Sequence, residues 1–332
     1  RSFTAGRFAS NLETCEWIGG VNLWTDSFME EQLTSTPLRN YDQTILGAFV
    51  QNNIGLSEKF RLESGLRADY VIDYGFAVLP RVSLMYTPSA KFSSRIGGGL
   101  GYKTPTIFTE ESERIQYQNV LPVSSTTNKL ERSYGANWYF NYRTSIAGGA
   151  IGVSINQLFF YTYLNDPLFL ETLPSGDYEF VNIGGNINTK GAETNLKFDY
   201  ADFKLFIGYT YTDANVNNNG ITSQNPLTAK HRLNNVLMYE VEESWKIGLE
   251  AYYFGPQLLN DGATGKEYWI FGLMIEKIWE RLALYINFEN FSDTRQTRFD
   301  TIYTGTITNP VFRDIYAPVD GFVMNGGIKI NL

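Results

Sequence analysis

The chain has 332 residues, with 27 lysines and arginines against 35 aspartates and glutamates, and a formal net charge of −8. This length fits one large or two ordinary domains. The acidic balance, without a run of basic residues, argues against a nucleic-acid partner. A single cysteine, Cys15, excludes a disulfide framework and a cysteine-rich zinc site. Hydrophobic residues make up 43% of the chain, which excludes intrinsic disorder.

The sequence holds no long apolar segment. No stretch approaches the roughly 18 uninterrupted apolar residues that a membrane-spanning helix needs, so a helical membrane protein is excluded. The start of the chain also lacks the apolar core of a signal peptide. We therefore expect that a signal has been removed or that the chain begins partway through a longer protein.

Apolar and polar residues alternate with a period of two along most of the chain, which is typical of β-strands. Helical patterns are absent. In chain order, the alternation predicts about fourteen strands, near residues 15–27, 40–55, 57–73, 75–88, 90–104, 130–143, 145–164, 185–201, 202–213, 229–243, 244–258, 266–279, 281–292 and 319–332. The sequence therefore predicts an all-β fold.

The connections between these strands alternate between short and long. The short turns lie near residues 57–58, 88–90, 143–144, 201–202, 242–243 and 280, and the longer, polar connections at 28–39, 104–130, 165–184, 214–228, 259–265 and 293–318. Only the turn at 73–75 breaks the rule. This asymmetry predicts an antiparallel transmembrane β-barrel with short periplasmic turns and long extracellular loops.

The two faces of the predicted strands differ in polarity. The face that we assign to lipid is almost purely apolar and carries tyrosine and tryptophan toward its margins, as at Tyr134, Trp138 and Trp245, where a membrane interface selects them. A sandwich or propeller of a soluble protein also alternates. The predicted strands run to about 12–17 residues, whereas soluble strands average five or six, which favours the barrel.

Four stretches resemble, in chain order, motifs of the TonB-dependent outer-membrane receptors. They are residues 101–111 (GYKTPTIFTEE), residues 180–185 (FVNIGG) followed by 189–193 (TKGAE), residues 288–295 (FENFSDTR), and residues 315–321 (IYAPVDG) leading to 326–332 (GGIKINL). The resemblance implies a barrel of 22 strands with a plug domain inside. Residues 1–332 would then be a single barrel domain, the C-terminal part of that barrel, with the plug domain absent from this chain. A self-closed pore of fourteen strands is the alternative.

The resemblance implies TonB-dependent active transport of a scarce nutrient chelate, of the ferric siderophore or cobalamin type, across the bacterial outer membrane. The implied partners are the plug domain, outer-membrane lipids, the chelate and the TonB–ExbB–ExbD energising complex, which would act through a missing N-terminal region. It implies no cofactor and no covalent chemistry. A passive porin-like channel and a soluble or surface β-rich binding protein remain as alternatives.

Two groups of residues are candidates for function. We expect plug or lumen contacts from charged residues of the inward series, namely Arg61, Glu63, Arg67, Arg81, Arg95, Glu193, Lys246, Glu250 and Glu289. These residues would otherwise simply pair across strands. We expect substrate contacts from the extracellular loops, at Glu111, Arg114, Tyr117, Gln118, Tyr163 and Tyr178. The alternatives there are an ordinary solvated loop or, for the tyrosines, an interface belt.

Catalysis and metal binding have little support. Adjacent carboxylates such as Glu110 and Glu111 would point to opposite faces of a strand, so they would make no acid–base pair. The sequence offers no Gly-Xaa-Ser-Xaa-Gly elbow. The sole histidine, His231, has no metal-ligating partner near it in sequence, which favours a structural role. We therefore predict no catalytic residues, no metal site and no enzyme activity.

Overall fold

The structure is a computed structural model, and it describes residues 2–12, 15–31 and 37–330. Long antiparallel strands dominate it, and each pairs with the next along the main sheet. They are β1 (Ser2–Leu12), β2 (Cys15–Phe28), β3 (Tyr41–Gly55), β4 (Phe60–Val71), β5 (Gly75–Ser89), β6 (Phe92–Lys103), β7 (Glu131–Ile146), β8 (Ile151–Asn165), β11 (Asn186–Tyr200), β12 (Phe203–Asn218), β14 (His231–Val241), β15 (Trp245–Phe254), β18 (Tyr268–Trp279), β19 (Leu282–Glu289) and β22 (Val323–Ile330).

Shorter strands and helices lie within the connections between the long strands. The small strands are β9 (Leu168–Thr172) paired with β10 (Tyr178–Asn182), β13 (Ile221–Gln224) paired with β12, β16 (Gln257–Leu258) paired with β17 (Thr264–Gly265), and β20 (Tyr303–Thr306) paired with β21 (Asn309–Phe312). Two short helices are α1 (Glu110–Arg114) and α2 (Gln296–Phe299), and a 3-10 turn covers Ala147–Gly149. Within the described ranges, no helix is both long and apolar enough to cross a membrane.

The all-β prediction is confirmed, and each of the fourteen predicted strands corresponds to a strand of the main sheet. The main sheet contains one further long strand, β1, which the alternation missed. Two of its large apolar residues, Phe3 and Phe8, are five positions apart, so they fall on opposite faces and give no regular pattern. The last two residues, 331–332, of the final predicted strand lie outside the described residues.

Two short helices, α1 and α2, lie in the long connections, although the sequence shows no helical pattern there. Thr109 begins α1 as its N-cap, because its hydroxyl accepts a hydrogen bond from the Ser112 amide, and acidic residues fill the first turn. Glu110 and Glu111 therefore lie on a helical turn rather than on the two faces of a strand. The threonine and the acidic residues that follow it are visible in the sequence, but a helix of five residues is too short to show a helical period.

The main sheet is an open wall. Its pairing runs in one direction from β1 to β22, and no pairing between these two strands is found in the part of the chain that the structure describes. The described strands thus form an open sheet and not a self-closed pore of fourteen strands. All connections at one end of the wall are short, and all but the turn at 72–74 at the other end are long.

The two faces of the wall differ as the alternation predicts. Large hydrophobic side chains stand exposed along one face, including Val21, Leu66 and Val82. Aromatic pairs lie near both margins of this face: Phe60 stacks on Tyr86 near the short turns, with ring centroids 4.6 Å apart, and Tyr134 stacks on Tyr163 near the long loops, at 4.9 Å. Aromatic residues at both margins of an apolar band are typical of a membrane barrel.

The buried hydrophobic clusters lie around the long loops. One contains Ile107, Val120 and Phe180, and another contains Leu259 with Tyr316. A single-layered wall cannot bury large side chains between two layers, so the loops are where the chain forms a water-excluding core. The candidate functional site therefore lies at the long-loop end of the wall.

Candidate functional site

The 104–130 loop packs on the β9–β10 hairpin. Val120 is fully buried and pairs with Tyr178 in a parallel bridge, in which the Leu121 amide donates to the Tyr178 carbonyl at 2.7 Å. The Asn128 side chain donates to the Phe180 carbonyl at 2.6 Å. These contacts fix the 104–130 loop against the loop that follows β8, although the two belong to different hairpins.

The 290–322 loop is held by a buried glutamine, Gln296, at the start of α2. Its side-chain oxygen accepts hydrogen bonds from the amides of Tyr316 (2.8 Å) and Ala317 (3.1 Å), and its side-chain nitrogen donates to the Asp314 carbonyl (2.8 Å). Tyr316 in turn donates its hydroxyl hydrogen to Asp300 at 2.8 Å. Burial, opposed by the Lys266 amide and supported by Asp300, raises the pKa of Tyr316 to about 12.

Arg313 joins the 290–322 loop to the 255–267 loop. Its guanidinium pairs with Asp261 at 3.0 Å and with Asp300 at 3.1 Å. A hydrogen bond from the Ala263 amide and the pairing with Arg313 hold the pKa of Asp261 below its usual value. Burial alone would raise the pKa of Asp300, but the hydrogen bonds from Tyr316 and the Thr301 amide, together with Arg313, lower it.

A salt bridge between Arg114 and Asp314 connects loops that are 200 residues apart in sequence. The Asp314 side chain is only 2% exposed and also accepts a hydrogen bond from the Asn260 side chain at 3.0 Å. Six strands lie between β7 and β19 in the sheet, so seven spacings of about 4.8 Å put these two strands about 34 Å apart along the wall. The 104–130, 255–267 and 290–322 loops therefore converge, away from the strands to which they are attached.

A cavity of about 610 Å³ lies among the joined loops. This volume is within the range of about 300–1,000 Å³ that is usual for small-molecule sites. Three of the residues predicted to contact substrate, Glu111, Arg114 and Tyr178, line it. The loops that contribute are 104–130, the connection between β8 and β11, the connection between β12 and β14, and 255–267.

Three charged residues that were not among the predicted contacts also line this cavity, namely Lys103, Glu110 and Glu131. Glu131, at the start of β7, is 4% exposed, and its Oε1 accepts a hydrogen bond from the Leu168 amide at 2.9 Å. Its Oε2 is buried and has no hydrogen-bond donor within the described residues. Lys103 Nζ lies 3.7 Å from that oxygen, at ion-pair distance. Lys103 stands inside the GYKTPT stretch, which could have marked it as a candidate, whereas Glu131 gave no signal.

The other three predicted substrate contacts do not line the cavity. The Tyr117 ring packs edge-on against Phe108, and its carbonyl accepts a hydrogen bond from Arg39 at 2.6 Å. Gln118 is exposed next to it. Tyr163 stacks on Tyr134 at the margin of the apolar face, which is the interface-belt placement weighed for it above. Of the six candidates, the structure thus brings three together.

All nine predicted lumen residues lie on the polar face of the wall, as the strand register places them. Glu63 pairs with Arg81 and, at 3.4 Å, with Arg95, so one carboxylate joins three neighbouring strands. The others also bond to neighbours: Arg67 to Asp69, Glu193 to Asn195, Lys246 to Glu240, Glu250 to Tyr252 and Glu289 to Asn325. Arg61 is the one for which the described residues supply no such partner.

Asp69 and Asn22 flank a notch at Gly47 on the same polar face. These residues are in register on β4, β2 and β3, and one side-chain oxygen of Asp69 and one of Asn22 have no hydrogen-bond donor within the described ranges. A Cβ at Gly47 would collide with both side chains. The wall therefore tolerates no side chain at this point.

His231 lies on the apolar face and contributes to no metal site that the described residues form. Its Nδ1 is 2.8 Å from the Tyr209 hydroxyl, and its ring also packs on Tyr211. No group of three or more His, Cys, Asp or Glu side chains suited to a metal ion is found in the described ranges.

Comparison with known proteins places this architecture in a family. Residues 8–291 match the family model described as TonB dependent receptor-like, beta-barrel. Among solved structures, the FrpB iron transporter from Neisseria meningitidis matches with a TM-score of 0.72 at 14% identity, over 99% of this chain and 55% of that one. The ferric enterobactin receptor PfeA from Pseudomonas aeruginosa, in a mutant form, gives 0.74 at 14%, over 98% and 53%. The copper transporter OprC gives 0.73 at 14%, over 99% and 56%.

At 14% identity, these structural matches support the fold alone. The chain spans slightly more than half the length of these proteins. The family and its solved members are receptors and transporters of the outer membrane, not enzymes, and they work with TonB and carry a plug. The family model covers most of the chain, so this protein belongs to the TonB-dependent receptor β-barrel family.

Proposed function

We propose that this chain forms the C-terminal part of the barrel wall of a receptor that imports a metal chelate across the bacterial outer membrane, energised by TonB. The observation that carries the proposal is the cavity among loops that converge at one end of a wall with one polar and one apolar face. A cavity of ligand size among the loops suits capture of a substrate from outside the cell.

The polar face of the wall supports an internal plug as a partner. Its ionic network, centred on Glu63, Arg81 and Arg95, borders a groove of about 750 Å³. Charged side chains on an inner wall need water or a polar partner beside them. A plug domain would lie against this face, and the TonB–ExbB–ExbD complex would act on that domain. Residues 1–332 are then one barrel domain.

The substrate class follows from the relatives. The names of the solved matches refer to iron, ferric enterobactin and copper, which favours a metal chelate over cobalamin for this chain. Glu111, Arg114 and Tyr178 are the proposed contacts from our first set, and Lys103 and Glu131 join them.

The proposal is tested by uptake of radiolabelled iron chelates into cells that express the complete gene as their sole receptor, with and without TonB. We expect accumulation only when TonB is present. Equal uptake in both strains would favour the passive channel instead. Recovery of the protein without detergent would favour the soluble binding protein, although the exposed hydrophobic face argues against it.

A further inference from the structure

We propose that the cavity selects a positively charged chelate, and that an ammonium group of that chelate binds the buried carboxylate of Glu131. This inference rests on the proposed import function and narrows its substrate class. It excludes the polyanionic chelates, such as ferric catecholates, as the preferred cargo.

The net charge of the chain is concentrated in the loops. The long-loop end of the wall comprises residues 29–31, 37–40, 72–74, 104–130, 166–185, 219–230, 255–267 and 290–322. These segments hold sixteen acidic and eight basic residues, a net charge of −8, while the rest of the chain holds nineteen of each. A surface with one excess sign attracts ligands of the opposite sign and repels those of the same sign. The mouth of the wall therefore favours cations.

The charged residues that line the cavity are also more often acidic than basic. Its lining contains three carboxylates, on Glu110, Glu111 and Glu131, and two cations. Both cations already have acidic partners: Arg114 is bonded to the buried Asp314, and Lys103 lies beside Glu131. Glu110 and Glu111 are exposed and have no ion pair within the described residues. An incoming anion would therefore find no unpaired cation here.

Glu131 supplies the specific contact. Glu131 lines the cavity, and its Oε2 is buried and receives no hydrogen bond within the described ranges, whereas Oε1 accepts one from the Leu168 amide. A buried carboxylate oxygen without a hydrogen-bond donor is costly, because it has lost water and has only the ammonium of Lys103, at 3.7 Å, beside it. A charged N–H donor on the ligand would complete its bonding, and such charge-assisted bonds are about twice as strong as neutral ones.

Most of the remaining lining of the cavity is apolar. It includes Leu164, Leu168, Phe169 and Leu170. A ligand that carries a cationic arm on an apolar body would thus match both the carboxylates and the apolar residues. This combination differs from that of a catecholate chelate, whose surface is anionic.

The test uses the complete receptor, purified in detergent, and three iron chelates. The first is a ferric trihydroxamate that ends in a free amine, the second is the same chelate with the amine acetylated, and the third is a ferric tris-catecholate. Acetylation removes the positive charge of the first chelate and adds a small neutral group in its place. Calorimetry should give an affinity order in which the amine chelate binds tightest and the catecholate weakest.

Three variants test whether Glu131 is the residue that binds the ammonium group of the chelate. Glu131→Gln keeps the Leu168 contact but removes the charge, and we expect about a tenfold loss of affinity for the amine chelate with little change for the acetylated one. Glu111→Gln, at the exposed rim, should give a smaller loss in the same direction. Glu113→Gln removes a charge from the same helix outside the cavity and serves as the control. Heat-dependent gel mobility verifies that each variant is folded.

The outcomes separate the two proposals. Equal binding of the amine and acetylated chelates, tighter binding of the catecholate, or an equal loss for both trihydroxamates in Glu131→Gln would overturn this inference and leave chelate import intact. Absence of TonB-dependent uptake for every chelate would overturn the import function, and this inference with it.

Discussion

Gly265 lies against the ring of Tyr316, at the end of β17. A Cβ built at this position would stand 2.8 Å from the nearest ring carbon. The ring is buried, and its hydroxyl both donates to Asp300 and accepts from the Lys266 amide at 2.9 Å. The 290–322 loop can therefore pack on the 255–267 loop only because residue 265 has no side chain.

We expect Gly265→Ala to displace the Tyr316 ring and to destabilise the loop cluster by about 1–3 kcal/mol, the usual cost of overpacking. The measurement is hydrogen exchange at the Tyr316 and Ala317 amides, which Gln296 holds in the native structure. The control is Gly184→Ala, because a Cβ there meets nothing within 4 Å. Equal exchange in both variants would contradict the packing argument.

At the scale of the strand, the alternation of faces decides what the wall tolerates. Leu249 and Gly248 are neighbours on β15, and they point to opposite faces. Leu249 lies between Leu237 and Leu273 on the apolar face, whereas the space above Gly248 is open.

Leu249→Arg should prevent stable assembly, because a charge on the lipid face near mid-bilayer costs about 2–4 kcal/mol. Gly248→Arg introduces the same side chain one residue away and should assemble normally. Assembly of both variants is measured by comparing their gel mobility with and without boiling. Normal assembly of Leu249→Arg would show that our assignment of the faces is reversed.

The stability of the 255–267 and 290–322 loops should depend on pH, because Arg313 pairs with two carboxylates there. Asp261 and Asp300 both have lowered pKa values in the folded loops. A carboxylate with a lowered pKa contributes stability that is present above its unfolded pKa, near 3.9, and that is lost as the pH falls through the lower, folded value.

We therefore expect protease sensitivity of the 255–267 and 290–322 loops to rise as the pH falls below about 4, since the two carboxylates then lose their charge. Arg313→Gln should raise the sensitivity at neutral pH and weaken the dependence on pH. A dependence as steep in Arg313→Gln as in the wild type would contradict this explanation.

The sequence predicted the wall well and the loops poorly, for physical reasons. Strands such as β19 need only one apolar face, so alternation within eight residues identifies them. The contact between Arg114 and Asp314 depends on the path of two long loops, and no local pattern encodes it. Thus Arg114 was proposed from its loop alone, while Glu131 and its buried oxygen emerged only from the structure.

At the scale of the whole molecule, the salt bridge from Arg114 to Asp314 ties distant parts of the wall together. Asp314 is buried, so Arg114→Gln leaves its carboxylate with Asn260 alone, at a cost of about 1–3 kcal/mol. We expect faster tryptic cleavage after Arg298 and Arg313 on intact cells. The control is Lys129→Gln in the same loop, because Lys129 contacts Asn182 through its backbone. Unchanged cleavage in Arg114→Gln would mean that the bridge does not hold the loops.

The placement of the hydrophobic clusters has a consequence for temperature. The wall is held by ladders of backbone hydrogen bonds, whereas Val120, Leu259 and their neighbours hold the loops by excluding water. Hydrophobic stabilisation weakens on cooling. The loops should therefore loosen in the cold while the wall stays intact, so that the contacts between the loops, rather than the pairing of the strands, set the lower temperature limit of the folded state.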